Sequence, residues 1–243
     1  MNIYGKTDVG KSRKINQDAF AYGQPSEKSC FAFICDGMGG QNGGNIASQT
    51  MRDILLSQLF KVLSKPSTID SVSKALANAY ITSNRRIFDK ASSEKDLKDM
   101  GTTVVSAILI KNDLLIGNVG DSRAYLYTNG MLTQLTVDHS YVQILVDSGE
   151  LTQEEARVHP RRNEITRAIG IDENVEYDFV CSKVRHGDRI LLCSDGLTSM
   201  CSNEEIRQIL QAKKDLKQSV SRLITLANSN GGCDNITVIL MEV

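Results

Sequence analysis

The chain predicts an α+β fold, a sandwich of antiparallel sheets with helices packed outside. Three observations carry this. Long helical periodicity is confined to two adjacent segments, about 44–63 and 67–90. The strand-like runs that follow are joined by short hairpin links, Asn129-Gly130 above all, so they pair antiparallel. Strands and helices also fail to alternate as a doubly wound parallel sheet requires.

Taken in order, Asp18 opens a strand in NQDAFAYG, and FAFICDG is a second apolar run. In the first helical segment Ala47, Met51, Ile54, Leu55, Leu59 and Val62 fall on one stripe. In the second, Ile69, Val72, Leu76, Ala79, Tyr80 and Ile87 do the same, with Ser67 and Asp70 as an N-cap arrangement. Short β-branched or aliphatic strands then occupy 102–110, 114–119, 123–127 and 131–135, broken by Lys111-Asn112-Asp113 and Asn129-Gly130. A helix over about 139–148 is stopped by Gly149. Another starts at Thr152, boxed with Glu155, and must end before Pro160. Strands return at 177–184 and 188–193. Ser202 with Glu205 caps a helix, 216–227 reads as one more, and 235–243 is apolar on both faces, as a buried strand is.

Composition sets the class. With 243 residues, 41% of them hydrophobic, the chain can bury one sizeable core. Only three prolines, no linker and no repeat point to a single domain over 1–243. Its 28 basic and 29 acidic residues give a net charge of -1 without a Lys/Arg stripe, and aromatics are 5% with no tryptophan. Nucleic acid is therefore not an expected partner. The opening MNIYGKTDVGKSRK has no apolar run, and nothing approaches the roughly 18 apolar residues of a span, so a cytoplasmic protein without membrane insertion is expected. Six cysteines without a CxxC pair read as free structural thiols, most of them in apolar surroundings.

Three apolar strands run straight into an aspartate beside glycine, ending at Asp36-Gly37, Asp121 and Asp195-Gly196. Asp234 and Asp18 open two more strands. A single Asp-Gly is ordinarily a turn. Several carboxylates gathered at one sheet rim, however, repel one another unless a cation neutralises them. An all-oxygen donor set suits Mg²⁺ or Mn²⁺ rather than zinc. The loop from Gly37 to Gly44 is too glycine-rich for a hairpin and lets backbone approach a ligand closely. It does not complete a dinucleotide fingerprint, because Asn42 stands where the last glycine belongs, and no GxxxxGK[ST] occurs.

At this point the ordered series becomes specific. Arg13 with Asn16-Gln17-Asp18, Asp36-Gly37-Met38-Gly39-Gly40, Gly101-Thr102-Thr103, Gly120-Asp121-Ser122-Arg123-Ala124, Ser194-Asp195-Gly196 and Asp234-Asn235 resembles the motif series of the metal-dependent protein phosphatases of the 2C type. The stretch from Asp138 to Gly170, with His159-Pro160-Arg161-Arg162-Asn163, is similar to the flap of the bacterial members, here about 139–170. The likeness covers nearly the whole chain.

The resemblance implies a four-layer sandwich, two antiparallel sheets between pairs of helices. It implies that Asp36 bridges two Mg²⁺ or Mn²⁺ ions, one also held by the Gly37 carbonyl and the other by Asp195 and Asp234. Asp121 with Asp195 would hold a weaker third ion, Asp18 would orient metal-bound water, and Arg13 would fork onto the substrate phosphate. A metal-activated hydroxide then attacks phosphorus in one step, without a side-chain nucleophile. The implied substrates are phosphoserine and phosphothreonine in proteins, the implied partners a cognate serine/threonine kinase and its targets in bacterial signalling. Phosphotyrosine and small phosphate esters stay open as substrates.

Three positions depart from the pattern. Met38 and Gln41 stand where relatives carry histidine, a candidate general acid, and Gln17 replaces a glutamate. Leaving-group protonation would then fall to metal-bound water, with His139 and His159 as the side chains to test. Two other functions fit parts of the pattern. A non-catalytic phosphoprotein-binding module should have lost metal ligands, and a two-metal nuclease should show a basic groove; the chain does neither.

Overall fold

The computed structural model describes residues 1–212 and 215–243, those at 41 and 42 by their backbone alone. The Gln41 side chain therefore lies outside the described residues.

Two antiparallel sheets form the centre. One has the order β1 (Asn2–Asp8), β11 (Ile236–Glu242), β10 (Arg189–Cys193), β7 (Arg123–Thr128), β8 (Met131–Gln134). The other runs β2 (Asp18–Ser26), β3 (Ser29–Met38), β5 (Val104–Ile110), β6 (Asp113–Val119), β9 (Asp178–Lys183), with the two-residue β4 (Gly101–Thr102) paired to the end of β3. Asn129 and Gly130 have φ of 51° and 81°, as the expected hairpin turn between β7 and β8 needs. As its apolar residues on both faces predict, β11 is buried, and it lies between β1 and β10.

The four expected layers follow from where the apolar stripes go. Ala47, Met51, Leu55, Leu59 and Leu63 on α1 (Gly40–Leu63) and Val72, Leu76 and Tyr80 on α2 (Ile69–Ser93) form one core with Phe31 and Phe33 of β3. A second core lies between the sheets, around Ile34, Val105, Leu192 and Ile239. The third joins Leu191 and Val238 to α6 (Asn203–Gln211) and α7 (Leu216–Ser229).

Some boundaries differ from the expectation. The N-cap of α2 is Thr68, boxed with Ser71, rather than Ser67. The glycine-rich stretch does not remain a loop. Gly39 turns at φ 105° and α1 starts at Gly40, four residues before its apolar periodicity. Further on, Ser140 caps α3 (Tyr141–Asp147), and the Thr152–Glu155 box opens α4 (Gln153–Val158), as those two residues predict. The edge strand β1 carries too weak an alternation to be read from NIYGKTD. All six thiols are free, with Cys181 and Cys233 exposed and the rest buried.

Candidate metal centre

Antiparallel pairing decides which chain ends meet. The starts of β2, β7 and β11 and the ends of β3, β6 and β10 all fall at the same rim. Asp18 and Asp36 are direct partners across β2 and β3. Asp121 lies between β6 and β7, Asp195 opens the short helix α5 (Asp195–Thr198) after β10, and Asp234 stands just before β11. A cleft of about 540 Å³ is lined by Asp36, Gly37, Asp121, Asp195 and Asp234, with Arg13 among its walls. Asp18 belongs to the layer beneath.

The framework that fixes these groups is built of small polar side chains. The Asp36 backbone is clamped by Thr103, whose Oγ1 accepts from the Asp36 N–H at 3.2 Å, and by Thr102, whose Oγ1 donates to the Asp36 carbonyl at 2.9 Å. Thr103 in turn shares a hydrogen bond with Ser122 at 2.9 Å, beside Asp121. Ser194 donates to Asp18 Oδ2 at 2.9 Å, and Thr237 donates to the same oxygen. Asn235 donates to the carbonyls of Val9 and Ile15 and accepts from the Gln17 N–H, tying the Arg13 loop to Asp234.

Two backbone contacts leave no room for a β-carbon. One built on Gly37 would stand 2.1 Å from the Gly44 carbonyl oxygen, and one on Gly196 would stand 2.0 Å from that of Asn235. The first close approach fastens α1 to the strand end that carries Asp36. The second fastens Asp195 to the Asp234 loop.

Electrostatics set this rim apart from a structural ion-pair network. Burial, then the charges of Asp18, Asp195 and Asp121, holds the Asp36 carboxyl well above the usual range. Burial, then Asp121 and Asp234, does the same to Asp195. Asp18 is pushed up to about 6, chiefly by burial. Asp121 is pushed up to about 7 by burial and by Asp138. Asp36 is within hydrogen-bonding reach of both Asp18 and Asp195, and Asp18 Oδ1 is buried without a hydrogen-bond partner. Carboxylates gathered this way have less positive charge beside them than negative, and their oxygen-only donor set fits a hard divalent cation.

Among the described residues no three acidic, histidine or cysteine side chains are grouped so that they could hold one ion as they stand. Asp234 is instead drawn to Arg13, whose Nη2 donates to its Oδ2 at 2.8 Å. Arg13 therefore lines the cleft with one nitrogen engaged by a carboxylate.

The structure removes both histidines from the candidates for proton donor. No histidine lines the cleft. His139 is 7% exposed; its Nδ1 accepts from the Gly120 N–H at 3.0 Å, and its Nε2 faces Asp178 at 3.0 Å. Its backbone N–H also donates to the Gly120 carbonyl, so His139 buttresses the turn that carries Asp121. His159 caps α4 and accepts from the Arg161 N–H at 3.1 Å. His139→Ala should therefore slow aryl and alkyl phosphate hydrolysis by equal factors, about tenfold. Steady-state rates on both substrates check this, and a selective loss on the alkyl ester would restore the acid role.

A protein-family model described as Protein phosphatase 2C matches residues 9–240. The chain is 41% identical over 242 residues to the serine/threonine phosphatase stp of Listeria innocua, covering 100% of this chain and 96% of that protein. Its structure superimposes on the Streptococcus agalactiae serine/threonine phosphatase with a TM-score of 0.90 at 36% identity, covering 100% of this chain and 99% of the other. It also matches the catalytic domain of the serine/threonine phosphatase PstP in complex with two manganese ions, with a TM-score of 0.85 at 35% identity, covering 99% and 97%.

Proposed function

The chain belongs to the protein phosphatase 2C family, and we propose that it is a metal-dependent protein serine/threonine phosphatase working at the rim where Asp18, Asp36, Asp121, Asp195 and Asp234 meet. One observation carries this reading. Asp36, Asp121, Asp195 and Asp234, from distant strand ends, line one open cleft with Arg13, Asp18 lies against Asp36, and four of these five carboxylates have raised proton affinity.

Asp36, the Gly37 carbonyl, Asp195 and Asp234 would hold two Mg²⁺ or Mn²⁺ ions, and Asp121 with Asp195 a weaker third. Bound there, such ions supply water of lowered pKa as nucleophile and offset charge on the phosphoryl oxygens. The chain's own contributions are positional. Asp18, anchored through Oδ2, keeps Oδ1 free to accept a hydrogen bond from that water. Arg13 presents a planar fork to the phosphate and exchanges its contact with Asp234 for the substrate. Met38 lines the cleft and cannot transfer protons, so the leaving group takes its proton from water.

The chain forms one phosphatase domain over 1–243 with a flap at about 139–170, acts in the cytoplasm, and opposes a serine/threonine kinase on shared protein targets. No helix among the described residues is long and apolar enough to cross a membrane.

The test is Mn²⁺-dependent hydrolysis of an aryl phosphate and of a phosphothreonine peptide, with a chelator as control. Metal binding without turnover of either substrate would mean a phosphoprotein-binding module instead. Arg13→Ala should raise KM for the aryl phosphate about 10- to 100-fold while leaving Mn²⁺ affinity by calorimetry within about fivefold; Arg13→Lys should recover only part.

A further inference from the structure

Three hollows run on from one another along the flap. The catalytic cleft shares Asp121, Asn163 and Asp195 with a second hollow of about 450 Å³. That hollow shares Val137, Asp138, Ser140 and Gln143 with a third, of about 560 Å³, on the far side of α3. The third has an apolar strip bordered by acid. Val137 and Ile144 are 55% and 54% exposed, and Val175 lines it beside them. Asp147, Asp172, Glu176 and Asp178 stand around it.

The charge there is unbalanced. Arg167 answers Glu176 at 3.1 Å and Asp178 at 3.5 Å. Asp138 is already taken by Arg123 at 2.7 Å. Asp147 and Asp172 are exposed and have no cation paired with them among the described residues. Exposed aliphatic side chains rimmed by unpaired carboxylates suit a ligand with an aliphatic anchor and flanking positive charge. A hollow continuous with the catalytic cleft is within reach of the polypeptide that carries the phosphorylated residue.

We infer that this outer groove is a docking site for a segment of the phosphoprotein substrate in which lysine or arginine flanks an aliphatic residue. The inference rests on the phosphatase reading and deepens it, since it names a feature of the substrate beyond the phosphate. Docking energy gained outside the reaction centre lowers KM and leaves the chemical step alone.

The experiment uses the full chain with Mn²⁺ and a set of phosphothreonine peptides sharing one core. One member has no extension. Others carry a Lys-Leu-Lys segment on a Gly/Ser linker, N-terminal or C-terminal to the core, and matched members carry Glu-Ser-Glu instead. The basic extension on at least one side should lower KM about tenfold relative to the acidic one, at unchanged kcat. The double variant Asp147→Lys/Asp172→Lys, and separately Ile144→Ser, should erase that preference while aryl phosphate kcat/KM stays within about twofold of the parent. Equal KM for basic and acidic extensions on both sides overturns the docking site while the phosphatase reading stands. So does a preference that survives both variants, or variants that slow the aryl phosphate in parallel. Absence of aryl phosphate hydrolysis by the parent chain would remove the phosphatase reading, and the docking site with it.

Discussion

Asp36→Asn yields a protein that is more heat-stable than the parent when stripped of metal, yet about a thousandfold or more less active when metal is supplied. Both effects come from the same crowding. In the metal-free fold Asp36 is half-buried, largely desolvated, and close to the charges of Asp18, Asp195 and Asp121, so its ionised form is disfavoured twice over. A neutral amide of the same shape removes the repulsion and gives Asp18 or Asp195 an N–H to accept. Replacing buried ionic groups by well-packed neutral ones is worth up to about 1–4 kcal/mol, or roughly 2–16 °C for a domain of this size. The same substitution removes the carboxylate proposed to bridge the two ions, and with it the activation of water and the charge offset at phosphorus. Thermal melts in chelator, set beside kcat/KM in Mn²⁺, measure the two effects together. A variant that loses stability without metal would show that Asp36 serves the fold, and one that retains turnover would show that the centre lies elsewhere. Asp195→Asn should follow the same pattern, because burial and the charges of Asp121 and Asp234 perturb it likewise.

That opposition of stability and activity also explains which residues were legible before the fold was known. Asp36, Asp121 and Asp195 announce themselves locally, as a carboxylate at the end of an apolar run that would otherwise continue into the core. Their gathering at one rim follows from short hairpins and antiparallel pairing, both readable in the chain. The clamps are a different matter. Thr237 sits inside an apolar strand, and it meets Asp18 only because β11 pairs with β10 and stands beside β2. The Thr102–Thr103 pair holds Asp36 through the registry of β4 on β3. Such contacts depend on register between segments more than 60 residues apart, which periodicity does not encode. The early start of α1 has the same origin. Four residues without apolar spacing become helical because Gly44 must lie on Gly37. Nothing local in the sequence marks His139 as a buttress, because its Nδ1 accepts from the Gly120 N–H, 19 residues back in the chain.

Metal-free protein should be less stable at pH 7.5 than at pH 5.5, and Mn²⁺ should reverse that order. The direction follows from Asp18 at about 6 and Asp121 at about 7, both above the ordinary aspartate value of 3.8. A carboxyl raised in the folded state binds more protons there than in the unfolded chain. Its contribution is complete below about pH 4 and is lost as pH rises through about 6 and 7. Ordinary acid-sensitive pairs do not confuse this window. Glu204, held down to about 2 by Arg207 and Gln208, loses its contribution only as pH falls toward that value, and Glu155 and Glu164 are likewise lowered. A divalent cation competes with protons for the same oxygens, so its affinity grows with pH. At a hundredfold excess over its dissociation constant it adds about 2.7 kcal/mol, or roughly 5–11 °C. Melting curves with chelator and with Mn²⁺ at the two pH values are sufficient. A Mn²⁺ increment no larger at pH 7.5 than at pH 5.5 would mean that the carboxylates of this rim are not what the cation binds.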